Sequence, residues 1–195
     1  MGGCEKREEY DTHNKTPNAP SPPPPPPLSS PLFSLQAGVW AAVGFPSPTD
    51  KRARDAFYKA ANWCYQVGVF VSRSSGTLLP VPLAGLWAMP ALQVVLLSFF
   101  GGVAAVGPPS PLYGWWLLAP ALVVGLMGGG TYVNAFTLLA AASPPATREL
   151  SLGAASVADS VGIALADVSS VLVQGCLFRR HGVEGAAFAC GAPRR

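Results

Sequence analysis

A long stretch without ionisable side chains constrains this sequence more than any other feature. Between Ser74 and Thr147 it contains no Asp, Glu, Lys, Arg or His. A soluble domain of this length needs charged surface residues, whereas the interior of a bilayer disfavours them. Because a hydrocarbon core about 30 Å thick is crossed by about 20 apolar helical residues, the stretch has room for two complete spans. The sequence therefore predicts an integral membrane protein.

The composition of the whole chain agrees with this interpretation. Of its 195 residues, 50% are hydrophobic and 12% are charged, and the mean hydropathy is +0.33. The net charge of +3 arises mainly at the edges of the apolar segments. We interpret it as a signal of membrane orientation, not of nucleic-acid binding. The expected partner is therefore the lipid bilayer, and no nucleic acid is expected.

Hydrophobicity divides the chain into three parts. Residues 1–50 are predicted to form a disordered, proline-rich tail, because the run from Pro22 to Pro27 cannot donate backbone hydrogen bonds and favours an extended rod. This run acts either as a linker or as a ligand for a partner's aromatic groove. Residues 51–175 are predicted to hold about four transmembrane helices, and residues 176–195 a short polar C-terminal tail. The four spans are expected at about 56–72, 82–106, 112–142 and 150–173.

Basic residues beside the spans give an expected orientation. One side of the membrane has Arg73 and Arg148. The other side has more basic residues, which by the positive-inside rule places both tails in the cytosol. These residues are Lys51, Arg52, Arg54, Lys59, Arg179, Arg180, Arg194 and Arg195.

Two carboxylates in the fourth span are candidates for function. An ionised Asp at the centre of a bilayer costs about 2.5–3.5 kcal/mol, so such residues usually face a cavity or a partner. Asp159 is interpreted either as a proton-linked or substrate-contacting carboxylate or as a structural hydrogen-bonding group. Asp167 lies on the same helical face and is open to the same two interpretations.

Four further polar residues are candidates for a transport path. Arg73 closes the first span, where it acts either in function or as a helix-end residue that reaches water. Gln66 lies on the polar face of the same span, which implies a packed or water-lined side. Tyr132 and Asn134 offer polar groups just beyond a glycine run in the third span.

Glycine spacing predicts close helix packing. Gly125 and Gly129 form a G-x-x-x-G pattern, whose missing side chains let two helices approach closely in lipid. Gly153 and Gly162 in the fourth span are assigned the same packing role. The alternative for the run at Gly129 is a flexible break that lines a transport path.

Motifs of common enzyme classes are not found. The sequence has no G-x-S-x-G, no phosphate-binding glycine loop before a Lys-Ser/Thr pair, and no H-E-x-x-H. His13 and His181 lie in opposite tails without an acidic or cysteine cluster around them. We therefore expect a protein that is not an enzyme and has neither a cofactor nor a metal site.

Several sequence blocks occur together in an order that is specific to one family. The first runs from Tyr65 to Ser75 and the last from Gly153 to Ile163. Between them come, in order, Leu86-Trp87, Leu92-Gln93, Gly128-Gly129, Tyr132-Val133-Asn134 and Arg148-Glu149-Leu150-Ser151. Through these blocks the chain resembles the battenin family, also called the CLN-three or Batten-disease proteins, over about residues 56–190.

The resemblance implies an all-α membrane protein, similar to the C-terminal part of a major-facilitator or equilibrative-nucleoside-transporter-like fold. It also implies a multi-pass location in a lysosomal or vacuolar membrane. The implied function is solute transport, with a basic amino acid or a glycerophosphodiester as the solute, or homeostasis of organelle pH. The alternative is a non-transporting protein that assembles with other membrane helices or recruits partners.

The sequence also departs from the family pattern. Members carry about eleven spans and this chain matches the last four, so we expect a truncated sequence. Where the family usually has Glu before its glycine-rich block, this chain has Val124, so that position lacks a carboxylate for proton coupling or substrate contact. An Asn of the family is replaced by Leu96, and a small residue late in the last helix is replaced by Asp167. The family topology places the C-terminus in the lumen, which is the reverse of the charge count.

Overall fold

A computed structural model of the chain describes residues 29–43, 47, 49–75, 81–108 and 110–183. This part of the chain is all-helical and contains five α-helices and one short 3-10 helix. In chain order they are α1 (Ser29–Ala42), α2 (Lys51–Ser75), α3 (Leu83–Val106), the 3-10 helix (Trp115–Leu117), α4 (Leu118–Ala142) and α5 (Arg148–Arg180).

Three helical segments are long and apolar enough to cross a membrane. They are Ala84–Val106, Trp115–Ala142 and Arg148–Arg180, and they correspond to the second, third and fourth expected spans. The prediction of an all-α membrane protein is therefore confirmed. The first of the four expected spans, at about 56–72, is not among these segments. It lies in α2, which does not reach the hydropathy of a span because Lys59, Asn62, Gln66 and Arg73 recur along it.

The structure differs from the predicted disordered tail over the C-terminal part of that segment. Residues Ser29–Ala42 form α1, and Val39 and Trp40 are buried in the core. The proline run dominated the prediction for residues 1–50, yet no proline occurs between Pro31 and Pro46, so this apolar stretch is free to form a helix. Residues 1–28, which include the proline run, and residues 184–195 lie outside the described part of the chain.

The helices run alternately between two ends of a bundle. At one end the ring of Phe57 lies 5.9 Å from that of Trp115, near the starts of α2 and α4, so these two helices are parallel. The ends of α3 and α5 meet there too, where the His181 ring hydrogen-bonds the carbonyl oxygen of Ala104. We call it the basic end, because its described basic residues are Lys51, Arg52, Arg54, Lys59, Arg179 and Arg180. The opposite end has Arg73 and Arg148, which matches the grouping of charges expected from the sequence.

The hydrophobic core lies where the five helices meet. The rings of Trp40 in α1 and Phe100 in α3 pack edge to face, with centroids 5.7 Å apart. Phe57 in α2, Ala121 in α4 and Phe178 in α5 belong to the same buried cluster. Each helix thus contributes at least one buried side chain to a shared core, which holds α2 in the bundle despite its polarity.

Candidate functional site

Glycines allow α2 and α4 to pack closely. A methyl group at Gly125 would collide with the backbone carbonyl of Tyr65, and one at Gly129 would lie 2.9 Å from the carbonyl oxygen of Val69. From the other helix, a methyl at Gly68 would lie 2.8 Å from the backbone nitrogen of Leu126. Because backbone atoms cannot move aside as a side chain can, this contact requires residues without a Cβ. The structure thus places the G-x-x-x-G pattern at the interface of the two helices.

Gly153 and Gly162, the two glycines of the fourth span that were predicted to pack against another helix, lie outside the contact between α2 and α4. Gly153 is exposed, and among the described residues nothing lies within 4 Å of a methyl built there. Gly162 is half-buried. The buried residues of α5 begin at Ala166, because the first half of this long helix has few described neighbours. Within the described part of the chain, Gly153 therefore packs against no other helix.

Arg73 and Tyr132 meet at the end of the bundle opposite the basic end. The guanidinium carbon of Arg73 lies 4.5 Å from the centroid of the Tyr132 ring, close enough for a cation–π interaction. The Tyr132 ring in turn packs on Phe136, with centroids 4.5 Å apart. The structure thus joins two residues that the sequence singled out separately.

Asn134 links the start of α3 to α4. Its Oδ1 accepts a hydrogen bond of 3.0 Å from the backbone N–H of Val81, just before α3 begins. Its Nδ2 donates a hydrogen bond of 2.9 Å to the carbonyl oxygen of Gly130. Both polar atoms of the carboxamide therefore form hydrogen bonds with the backbone, so Asn134 stabilises the contact between the start of α3 and α4.

The other two candidates stand apart from these contacts. Gln66 is exposed on α2, on a face that also carries Trp63 and Phe70. Asp159 is half-buried on α5 and makes no hydrogen bond or ion pair with a described residue. The five candidates therefore do not form one cluster in this chain.

A cleft of about 800 Å³ opens among α1, α2 and α5. We call it the charged cleft, because Lys51, Arg54, Asp55 and Asp167 line it. Small residues of α1, including Gly38, form one wall. A methyl at Gly38 would collide with the hydroxyl of Ser170 on α5, so these two helices approach closely beside the cleft.

The start of α2 determines which side chains reach the charged cleft. Asp50 caps this helix, since its Oδ1 accepts a hydrogen bond of 2.9 Å from the backbone N–H of Arg52. From this start, Lys51, Arg54, Asp55 and Tyr58 follow at spacings of three and four residues, which places them on one helical face. The cap therefore fixes the rotation that turns these four side chains to the cleft.

Arg54 and Asp167 lie at different heights along the charged cleft, whereas Asp55 directly follows Arg54 in the chain. Arg54 is only 9% exposed, and its guanidinium carbon lies 5.1 Å from the centroid of the Phe178 ring. Asp167 lies three turns before Phe178 on α5, about 16 Å away along the helix axis at a rise of about 1.5 Å per residue. A buried cation thus lies towards the basic end, and the exposed carboxylate of Asp167 lies about three turns away along α5.

Sequence reasoning missed this cleft. It treated Lys51 and Arg54 as orientation signals, and it grouped Asp167 with Asp159 alone. The spacing of the residues on α2 was a readable signal of a polar face. That Asp167 lines the same cleft could not be predicted, because it depends on how α5 packs beside α1 and α2. Among the described residues, no group of three or more His, Cys, Asp or Glu side chains is placed to hold a metal ion.

Comparison with known proteins places the chain in a family context. A family model described as CLN3 protein matches residues 33–179. This match begins within α1, earlier than the resemblance expected from about Ala56. No solved structure shows significant similarity to the chain.

Curated relatives agree with the family match. Protein BTN1 of Eremothecium gossypii is 38% identical over 154 residues, which cover 73% of this chain and 35% of that protein. Protein btn1 of Aspergillus fumigatus is 33% identical over 143 residues, covering 73% of this chain and 30% of the relative. Protein BTN1 of Kluyveromyces lactis is 30% identical over 156 residues, covering 76% of this chain and 38% of the relative. The chain spans roughly a third of the length of these relatives.

Proposed function

This chain belongs to the battenin family, the CLN3 proteins, and we propose that it takes part in moving a small solute across a lysosomal or vacuolar membrane. Because it spans roughly a third of its relatives' length, transport is proposed for the battenin-type assembly to which it contributes. The proposed role is not enzymatic. The observation that carries the proposal is the charged cleft.

Charged side chains that line a cleft beside a membrane-type helix support a transport role. Ionisable residues within membrane segments are rare, and they commonly mark the paths of substrates and ions. Asp167 belongs to a helix apolar enough to span a membrane, where it is exposed to the charged cleft and has no hydrogen bond or ion pair with a described residue. A carboxylate in this setting suits a solute that brings its own positive charge.

The size and the charges of the cleft favour one class of solute. Its volume of about 800 Å³ lies within the usual range for small-molecule sites, about 300–1,000 Å³. A solute with an anionic group near Arg54 and a cationic group near Asp167 would use both ends of the cleft. Basic amino acids and zwitterionic glycerophosphodiesters have this distribution of charge.

A chimeric transporter tests the proposal. Residues 33–179 would replace the matching segment of the Eremothecium gossypii relative, and uptake of radiolabelled arginine and glycerophosphoethanolamine into vesicles would be measured. We expect Asp167→Asn to lower uptake efficiency about 10-fold or more, because a hydrogen bond to a charged group contributes about 1.5–3 kcal/mol. Glu149→Gln, an exposed carboxylate at the other end of α5, is the matched control. Equal uptake by both variants at equal abundance would contradict the proposal.

A surface of α2 favours a second candidate function, assembly with other membrane helices without transport. Trp63 and Phe70 are 71% and 72% exposed, and they share this surface with exposed Gln66. A surface that mixes large apolar side chains with a carboxamide suits another protein helix better than lipid. Co-purification of the chain with a full-length relative, lost in Trp63→Ala/Phe70→Ala, would favour assembly. Solute flux from the purified chain alone would argue against it.

A further inference from the structure

Two glutamine side chains lie inside the bundle without hydrogen-bond partners among the described residues. Gln36 is 0% exposed and Gln93 is 1% exposed. In both, Nε2 and Oε1 are buried and unbonded within the described part of the chain. Because folded proteins rarely leave such groups without a partner, these atoms point to a bound molecule.

The surroundings of Gln93 locate this molecule. A methyl group built at Gly128 would lie 3.4 Å from Gln93 Nε2 and 3.6 Å from the hydroxyl oxygen of Tyr65. Two polar atoms, from α3 and α2, therefore flank the same missing side chain on α4. None of these three residues lines the charged cleft.

Gln36 approaches the same region from α1. It lies one turn before Trp40 and on the same helical face. The ring of Trp40 lies 6.2 Å from that of Tyr65 and 5.7 Å from that of Phe100 on α3. The face of α1 that carries Gln36 is therefore turned towards the helices that carry Tyr65 and Gln93.

The chemistry of these groups selects the ligand. A carboxamide and a phenol are uncharged and act both as donors and as acceptors, so they match a neutral molecule that also does both. The space beside a glycine that lacks its methyl suits a molecule as small as water, and buried water typically bonds to about three polar groups. We propose that Gln93, Tyr65 and Gly128 form an internal water site between α2, α3 and α4. The site is independent of whether the chain transports a solute.

Two glycine variants of the full chain test the water site. Gly128→Ala would place a methyl group against the polar atoms that bind the water and so displace it, and we expect the Tm in detergent to fall by about 3–8 °C as the Gln93 carboxamide loses its partner. Gly130→Ala is the matched control, since its methyl would lie 3.8 Å from the Met89 methyl group. There the higher helix propensity of Ala should raise the Tm by about 1–3 °C. An equal rise in both variants would overturn the proposal.

A second substitution separates lost hydration from steric strain. Gln93→Leu removes the carboxamide that needs the water and leaves a side chain of similar size. In the Gln93→Leu background we expect Gly128→Ala to lower the Tm much less, because the carboxamide that would lose its hydrogen-bond partner is already absent. A fall of the same size in both backgrounds would assign the effect to crowding and refute the water site.

Radiolytic footprinting tests the site in the unmodified chain. Hydroxyl radicals formed from bound water label nearby side chains, so we expect Tyr65 to be labelled faster than Tyr132, a tyrosine that is likewise half-buried but lies outside the site. The rate at Tyr65 should fall in Gln93→Leu. Labelling of Tyr65 as slow as that of Tyr132 would refute the proposal without any variant having to fold.

Discussion

Substituting Gly125 with alanine should force α2 and α4 apart. The added methyl would collide with the backbone carbonyl oxygen of Tyr65 and would lie 2.9 Å from the carbonyl carbon of the same residue. Both atoms belong to the backbone, so no change of rotamer relieves the contact and the two helices must separate. The neighbouring contacts of Gly68 and Gly129 would loosen with them.

The expected loss follows from two opposing terms. Overpacking at a close contact costs about 1–3 kcal/mol, and more where the backbone must shift. The better helix propensity of alanine offsets about 0.5–1 kcal/mol. The net destabilisation is thus about 1–2 kcal/mol, which for a chain of this size lowers the Tm by about 2–8 °C.

Thermal unfolding of the purified chain in detergent, followed by tryptophan fluorescence, measures this loss. Gly153→Ala is the matched control, because a methyl there meets no described residue within 4 Å and should leave the Tm unchanged or slightly higher. If Gly125→Ala unfolds at the same temperature as Gly153→Ala, the close packing of α2 against α4 is wrong.

Three further predictions concern the polar residues outside the charged cleft. Asn134→Leu should lower the Tm by about 2–8 °C and speed hydrogen exchange at the Val81 amide, because a backbone donor loses its partner; normal exchange at Val81 would contradict the link. Tyr132→Leu should remove about 0.5–1 kcal/mol of coupling to Arg73 in a double-mutant cycle, whereas Tyr132→Phe should keep most of it, and equal coupling in both would exclude the cation–π contact. Asp159→Asn, in the chimeric transporter, should impair uptake at near-normal abundance; lost abundance with unchanged uptake per molecule would assign Asp159 to folding.

The apolar helices could be predicted from the sequence because their hydrophobicity is a property of consecutive residues. The long uncharged stretch after Ser74 predicted both bounds of α3 to within one residue and the end of α4 at Ala142, but α4 begins at Leu118, six residues after the expected start near residue 112. The last helix was predicted to end near Val173 but continues to Arg180, since basic residues at a helix C-terminus favour its continuation. α1 was missed because the proline run before it dominated the interpretation of the tail.

The sites were harder to predict because they depend on contacts between distant residues. Gln93 appeared only as part of a family block, and its burial depends on the packing of α3 against α2 and α4. Asp167 was recognised as unusual from the sequence. Its position in one cleft with Arg54 depends on α2 and α5 packing so that both line this cleft beside α1. Spacing along one helix reveals which residues share a face, but not which other face lies opposite.

The most direct test compares two solutes that differ in one charge. Arginine and citrulline have nearly the same shape, but the side chain of citrulline is neutral. In the chimeric transporter we predict that arginine uptake exceeds citrulline uptake about 10-fold or more, and that Asp167→Asn removes this preference. An arginine-to-citrulline ratio that Asp167→Asn leaves unchanged would contradict a solute-binding role for the charged cleft.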